Sequence, residues 1–237
     1  MISATNQSRA YKRRRTLWKA VNRARARNVR AIRRLWAEKL RAYLLDGDFL
    51  AISEAMERTY IEVGGQFART TYRRLKGQKD IGDLNDEIDA QMLNYVRTEL
   101  GGVIKSVQDT SARQYANILA ADLTLSEQAD LIDEMIKRRA KFISSNEIAG
   151  ASNAGQLIGG QNYTAETGQA VVKTWISTID SVVRPEHEEA DGQSVWQNEN
   201  FIVGGEAMSQ PRDPAASVWN TVNCRCVMDL QKVEATN

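Results

Sequence analysis

Between Tyr11 and Leu45 the chain runs without a glycine or a proline, and nearly all the charge in that run has one sign. From Arg9 to Arg41 there are 14 basic residues and a single acid, Glu38. A long stretch free of helix breakers and rich in Arg, Ala and Leu favours one regular structure, an α-helix whose charged and apolar residues separate onto two faces. On a wheel of ~100° per residue with Arg23 at zero, Lys12, Lys19, Arg27, Arg30, Arg34 and Arg41 fall within about 40° of it. Leu17, Trp18, Val21, Ile32, Leu35, Trp36 and Tyr43 gather opposite, where Arg14 and Arg25 interrupt the apolar side. The expectation is a cationic rail on one face, and on the other an apolar stripe through Trp18, Ile32, Leu35 and Trp36 that buries against a partner protein.

The whole chain carries a formal charge of only +2, so the residues outside this block are net acidic, with 18 basic against 29 acidic. A concentrated basic block implies a polyanionic partner or an acidic protein surface. Three readings of the rail compete: a solvated helix face, contact with nucleic-acid phosphates, and docking on an acidic protein. Phosphate contact needs only repeated positive charge and leads the three. A membrane-surface helix is formally open, but nothing else in the chain supports one.

A length of 237 residues suits one large or two small domains, and 42% hydrophobic with 26% charged residues is ordinary for a soluble protein. No run nears the ~18 apolar residues of a membrane span, and no secretory leader is evident. A cytoplasmic setting is therefore expected. Cys224 and Cys226 are separated by one residue, a spacing at which a disulfide would be strained, so both are expected as thiols.

Further amphipathic segments follow. One runs from Phe49 to about Leu75, interrupted by Gly64-Gly65, and residues 76–80 read as a linker. Asp83 is placed to cap a helix through Leu84, Ile88, Met92, Tyr95, Val96 and Leu100. Gly101-Gly102 marks a bend before a run through Val107 and Ile118. Thr124 and Glu127 have capping-box spacing and open a helix whose basic end, Lys137 to Lys141, would complement a C-terminal dipole. From Ala149 the residues become small, which suits close helix packing or a flexible join.

The pattern then changes. Val171 to Ile179 is β-branched and reads as a strand, and Pro185 favours a short helical turn carrying His187, the only histidine. Asp191-Gly192 is a turn, Phe201 to Pro214 is loop-like, and Asn223 to Leu230 reads as a strand with Cys224, Cys226, Met228 and Leu230 on one face. The expected fold is therefore mainly α over the first two-thirds, followed by a small α+β domain, with regions at 1–80, 81–165 and 166–237. Trp175, Trp196 and Trp219 are expected in the core of the last region.

The residues Trp175-Ile-Ser-Thr, Asp180, Arg184-Pro-x-His187, Asp191-Gly192, Phe201, Gly205-Glu206-x-Met208, Pro211-x-Asp213-Pro214 and Asn223-Cys224-Arg225-Cys226 occur in an order that resembles the C-terminal domain of the Mu F-like minor head proteins, the phage head morphogenesis family. Upstream, Arg139-Ala140, Ile143, Glu147 and Asn153-Ala154-Gly155 are similar to the segment that leads into that domain. The resemblance covers about the last third of the chain. It departs from the family at Ser145-Asn146, where Arg-Thr is frequent, and at Thr221-Val222, where a Pro or His is frequent. The resemblance implies a structural component of a tailed double-stranded DNA phage, inside the head near the portal and assembled in the host cytoplasm. Its implied partners are the portal, the major capsid or the scaffolding protein, with several copies per virion and packaged DNA as a further contact.

Two chemistries could be built from the same residues. His187, Cys224 and Cys226, with Asp180 or Asp191 as fourth ligand, match the mixed donors zinc accepts. Alternatively His187 with Glu147 could serve a phage-delivered nuclease or transferase. The preferred reading is neither a cofactor nor an enzyme. Cysteines on a strand face with Met228 and Leu230 suit a core, and His187 is expected to bond locally and fix the Asp191-Gly192 turn. No phosphate-cradling glycine motif is present.

Overall fold

The computed structural model describes residues 4–78, 82, 84–178 and 180–233, with side chains from Arg9 onward. The expected cap at Asp83, the linker residues Lys79-Asp80 and the strand end at Ile179 lie outside the described residues.

The basic run forms one helix, α1, Ala4–Leu45. At ~1.5 Å per residue its 42 residues span about 63 Å. It is followed by α2 (Ala51–Thr59), a π-helical turn (Tyr60–Gly64) and α3 (Gly65–Lys76). The expected interruption at Gly64-Gly65 is thus no break, because the wider π turn carries the chain from one helix directly into the next. Two shorter helices, α4 (Leu84–Glu99) and α5 (Gly101–Leu119), meet at the glycine pair as expected.

The longest element is α6, Leu125–Thr167. The Thr124–Glu127 capping box opens it, with the Glu127 N–H donating to Thr124 Oγ1 and the Thr124 N–H donating to Glu127 Oε2. It continues far past the basic run at residues 137–141. Those side chains are therefore mid-helix and do not answer a C-terminal dipole. Arg139, for example, donates instead to Ser111 Oγ at 2.7 Å and to the Val107 carbonyl.

Two helices pack along α6 in opposite senses. α1 runs antiparallel to it, since Arg41 pairs with Asp133 and Arg25 with Ser152. α3 runs parallel, and here the small residues have their explanation. A Cβ on Gly155 would lie 2.0 Å from the Gly64 carbonyl oxygen, and one on Gly159 would lie 2.3 Å from that of Ala68. The two backbones touch, and only glycine allows it. The small-residue segment is a close helix contact and not a flexible join.

The C-terminal strands form a three-stranded antiparallel sheet in the order β2-β1-β5, from β1 (Val171–Ile176), β2 (Ser194–Trp196) and β5 (Val227–Lys232). Trp175 on β1 stands opposite Met228 on β5. Between them come α7 (Pro185–Glu189), a hairpin of β3 (Phe201–Val203) and β4 (Glu206–Met208), and α8 (Val218–Thr221). The hairpin corrects the loop expected over 201–214. Gly204 and Gly205, with φ of +56° and +79°, form the tight turn that glycine pairs favour between two strands.

One apolar core runs through all of this. Trp36, Leu40, Ile52, Met92 and Ile136 of the helices join Trp175, Phe201, Met208 and Val227 of the sheet region in one cluster, so the three expected regions share it. Trp175 is in that core, but Trp196 is 46% and Trp219 67% exposed, which corrects their expected burial. Among the described residues no helix is long and apolar enough to cross a membrane.

Candidate functional site

The helix α1 presents two separate sets of cations. On its outer side Lys12, Lys19, Arg23, Arg27, Arg30, Arg34 and Arg41 are all exposed, as expected. Only Arg41 has a carboxylate partner among the described residues, Asp133 at 2.7 Å. From Lys12 to Arg41 the rail is about 43 Å long at ~1.5 Å per residue. It borders a groove of about 450 Å³ between α1 and α6, lined in part by Arg30, Arg33, Arg34 and Lys137. Arg33 Nε is buried there with no hydrogen-bond partner. Arg33 and Lys137 extend the basic face beyond the residues the wheel selects, and no signal within α1 alone points to Lys137.

The inner side differs from expectation. Ile32, Leu35 and Trp36 are buried in the chain's own core, and Trp36 Nε1 donates to Thr59 Oγ1 at 3.1 Å. These residues are therefore filled from within and do not form a surface for a partner. Trp18 is half-buried and donates its Nε1–H to the Arg225 carbonyl at 3.3 Å. The arginines that interrupted the apolar side are links to the C-terminal region. Arg14 pairs with Asp191 at 3.1 Å, and Arg13 with the buried Asp229 at 3.5 Å, alongside Arg74 at 2.8 Å.

Arg25 is fully inside. Its guanidinium donates to Ser152 Oγ at 2.7 Å, Asn153 Oδ1 at 3.1 Å, and the carbonyls of Ala149, Arg225 and Cys226. These acceptors are all uncharged. Burial holds its pKa down to about 10.

The motif residues are knitted together around this link. Asp180 caps the Val182 N–H and pairs with Arg225 at 2.7 Å. Arg184 donates to the Val222 carbonyl at 2.7 Å and lies over the Trp219 ring. Asp191 accepts from the Ser177 N–H at 2.9 Å, and Gly192, at φ +87°, donates its N–H to the Trp175 carbonyl. Asn223 sits in the left-handed region, at φ +57°, and its N–H donates to Asn146 Oδ1 at 2.8 Å. That turn keeps residues 223–226 out of the ladder, so β5 begins at Val227, later than expected. Both faces of the strand are covered at Val227, Met228, Asp229 and Leu230.

His187 corrects its expected role. It does not hold the Asp191-Gly192 turn. Its buried Nδ1 lies 3.4 Å from Cys226 Sγ and 3.5 Å from Cys224 Sγ. Both cysteines are buried and free. Trp175 meets the imidazole edge-on, with centroids 5.7 Å apart. The hydrogen bond from Cys226, with help from His187, draws the Cys224 thiol well down against burial, while Cys226 is pushed up. The proposed fourth ligands Asp180 and Asp191 are engaged elsewhere, by Arg225 and by Ser177 with Arg14.

Glu147 belongs to a different cluster. It is buried, forms an ion pair with Arg212 at 3.4 Å and accepts from Tyr60 Oη at 3.4 Å. Burial raises its pKa, and the Arg212 charge opposes that rise. Arg212 itself, at φ +65°, also donates to Asn146 Oδ1 and to the Thr221 carbonyl, tying α6 to the hairpin and α8. Sequence reasoning passed over Arg212, which stands as an unmarked residue between Pro211 and Asp213. A cleft of about 320 Å³ beside Glu147 is lined by Tyr60, Val103, Phe142 and Arg212, among others, but not by His187. Glu147 and His187 share no hydrogen-bond partner among the described residues.

A long helical body is fastened by buried polar links to a small sheet module whose motif residues lie on strands, in α7 and in the connecting loops. The family model of Phage Mu protein F like protein matches residues 98–229, more than half of the chain, and the chain belongs to that family. The match starts well before the last third and takes in α5 and α6. Membership supports a role in phage head morphogenesis and a place in the virion. Among curated proteins the chain is 36% identical over 67 residues to the NAD(+)--arginine ADP-ribosyltransferase EFV of Enterococcus faecalis (strain ATCC 700802 / V583). That alignment covers 28% of this chain and 14% of that protein. No solved structure matches.

Proposed function

We propose that the chain is a non-enzymatic structural component of a tailed-phage head, seated at the portal or inner shell, and that the outer face of α1 meets packaged double-stranded DNA. The observation that carries this reading is the rail. Lys12, Lys19, Arg23, Arg27, Arg30 and Arg34 are exposed along one continuous helix, with no carboxylate partner among the described residues. The same helix turns Arg13 and Arg14 onto the internal acids Asp229 and Asp191. A fixed row of cations neutralises phosphates without reading base sequence, which is what a contact with a packaged genome requires.

The non-enzymatic part of the proposal draws on the burial of His187 against two sulfurs and of Glu147 against Arg212. A nuclease or transferase acting through both residues would need them on one accessible face. The portal and capsid proteins remain the proposed neighbours of the helical body.

Binding of a short duplex, measured across salt concentrations, tests the rail. If six cations each meet a phosphate, log K should fall with log salt at a slope near about −5, and replacing Arg23, Arg27, Arg30 and Arg34 by Gln should bring the slope to about −2. Binding that ignores salt, or is unchanged in the fourfold variant, would overturn the DNA contact.

A further inference from the structure

We infer that His187, Cys224 and Cys226 form a binding site for a thiophilic d10 cation, with zinc as the natural occupant. The three donors come from two separate elements, α7 and the turn before β5, and their ligand atoms lie within 4.8 Å of one another with all three residues buried. The separations decide what the cluster can hold. A tetrahedral zinc with Zn–S of ~2.3 Å and Zn–N of ~2.0–2.1 Å has S···N edges of about 3.6 Å. The observed Nδ1···Sγ separations are 3.4 and 3.5 Å, so both edges that include the imidazole already match.

The surroundings hold this geometry. Trp175 fixes the plane of the imidazole from its edge. Pro185 starts the helical turn that brings His187 inward. Asn223, held in the left-handed region by Asn146, turns both cysteines of the Cys-x-Cys segment toward the ring. Arg25 donates to the carbonyls of Arg225 and Cys226 and so clamps the ligand backbone from α1. Thr178 Oγ1 is buried without a hydrogen-bond partner among the described residues. A buried hydroxyl without a partner is costly in an apolar core. A solvent oxygen would complete the tetrahedron at the fourth position.

On binding, the two thiols each lose a proton to solvent and coordinate as thiolates, while His187 coordinates as the neutral imidazole. The charge of the divalent ion and of the two sulfurs cancels, so the buried site remains neutral.

The test uses the full chain, reduced and stripped of metal, titrated with Co(II) alone. One equivalent is expected to bind, giving sulfur-to-cobalt charge-transfer absorption and the visible bands of a tetrahedral ion, and an equivalent of Zn(II) should abolish both. His187→Asn should weaken cobalt binding at least tenfold, and Cys224→Ser with Cys226→Ser should remove the charge-transfer band. Folding of each variant is followed by far-ultraviolet circular dichroism. If the double variant fails to fold, the wild-type spectrum still decides, because the charge-transfer band reports sulfur ligation directly. A folded wild-type chain with both thiols reduced that gives no such band at one equivalent would overturn the site.

Discussion

Arg25 and Arg27 stand two residues apart on one helix, yet they use the same charge in opposite ways. Arg25 is buried, with five neutral acceptors that fasten α1 to α6 and to the Cys-x-Cys turn. Arg27 is exposed and has no hydrogen-bond or ion-pair partner among the described residues. Lys173 belongs with Arg25. It is buried, donates to the Ser209 carbonyl at 2.7 Å and lies over the Phe201 ring at 5.0 Å, with no carboxylate partner among the described residues. A buried cation with neutral acceptors is structural, since its removal strands every acceptor at once. An exposed cation with no partner contributes almost nothing to folding and is free to act on something outside the chain.

Removing Arg25 would break this comparison most severely. Arg25→Ala is expected to lower unfolding free energy by about 3 kcal/mol in urea titration, because the hydroxyl, amide and carbonyl acceptors it leaves cannot be rehydrated. A loss below about 1 kcal/mol would show that the inner arginine is no more structural than the outer ones.

The second test uses pH. Burial holds the pKa of Lys173 down to about 8, below its usual value of 10.5. Between those values the folded chain binds fewer protons than the unfolded one, so stability rises as pH increases from about 8 towards 10, and that gain disappears as pH falls through 8. The full effect should be on the order of 2 kcal/mol, read as the midpoint of thermal or urea unfolding across this window. Lys173→Met should flatten the profile. A wild-type profile that is already flat would contradict a desolvated Lys173.

The smallest effect is expected outside. Arg27→Ala should shift stability by no more than about 0.5 kcal/mol while lowering the salt slope of DNA binding by about 1. If it destabilises as Arg25→Ala does, the two-sided description of α1 fails.

Much of the helical body was legible because its signals are local. The breaker-free run predicted α1, the Thr124–Glu127 spacing predicted the start of α6, and the 100° periodicity separated rail from stripe. The C-terminal module was legible mainly through the order of its motif residues. What was missed depends on neighbours far along the chain. Gly204-Gly205 signals a hairpin, but the flanking strands are three residues each and too short to show a period. Trp196 and Trp219 have the apolar bulk of core residues, and only the packing of the sheet edge and of α8 leaves them outside. Arg212 carries no pattern of its own, and the basic run that holds Lys137 does not show that it borders α1.

What the sequence determined by itself is the division of α1 into faces and the meeting of the motif residues in one module, since helical periodicity and residue order are properties of the chain alone. Tertiary structure decided which cations are spent and which are free. Arg14 finds Asp191 177 positions away, and Arg25 reaches the Cys226 carbonyl 201 positions away. It also decided that Ile32, Leu35 and Trp36 face α6 and α2 of their own chain instead of another protein. The physical reason is that burial and pairing are set by what packs opposite a side chain, and for α1 the opposite surfaces come from α6 and the closing sheet.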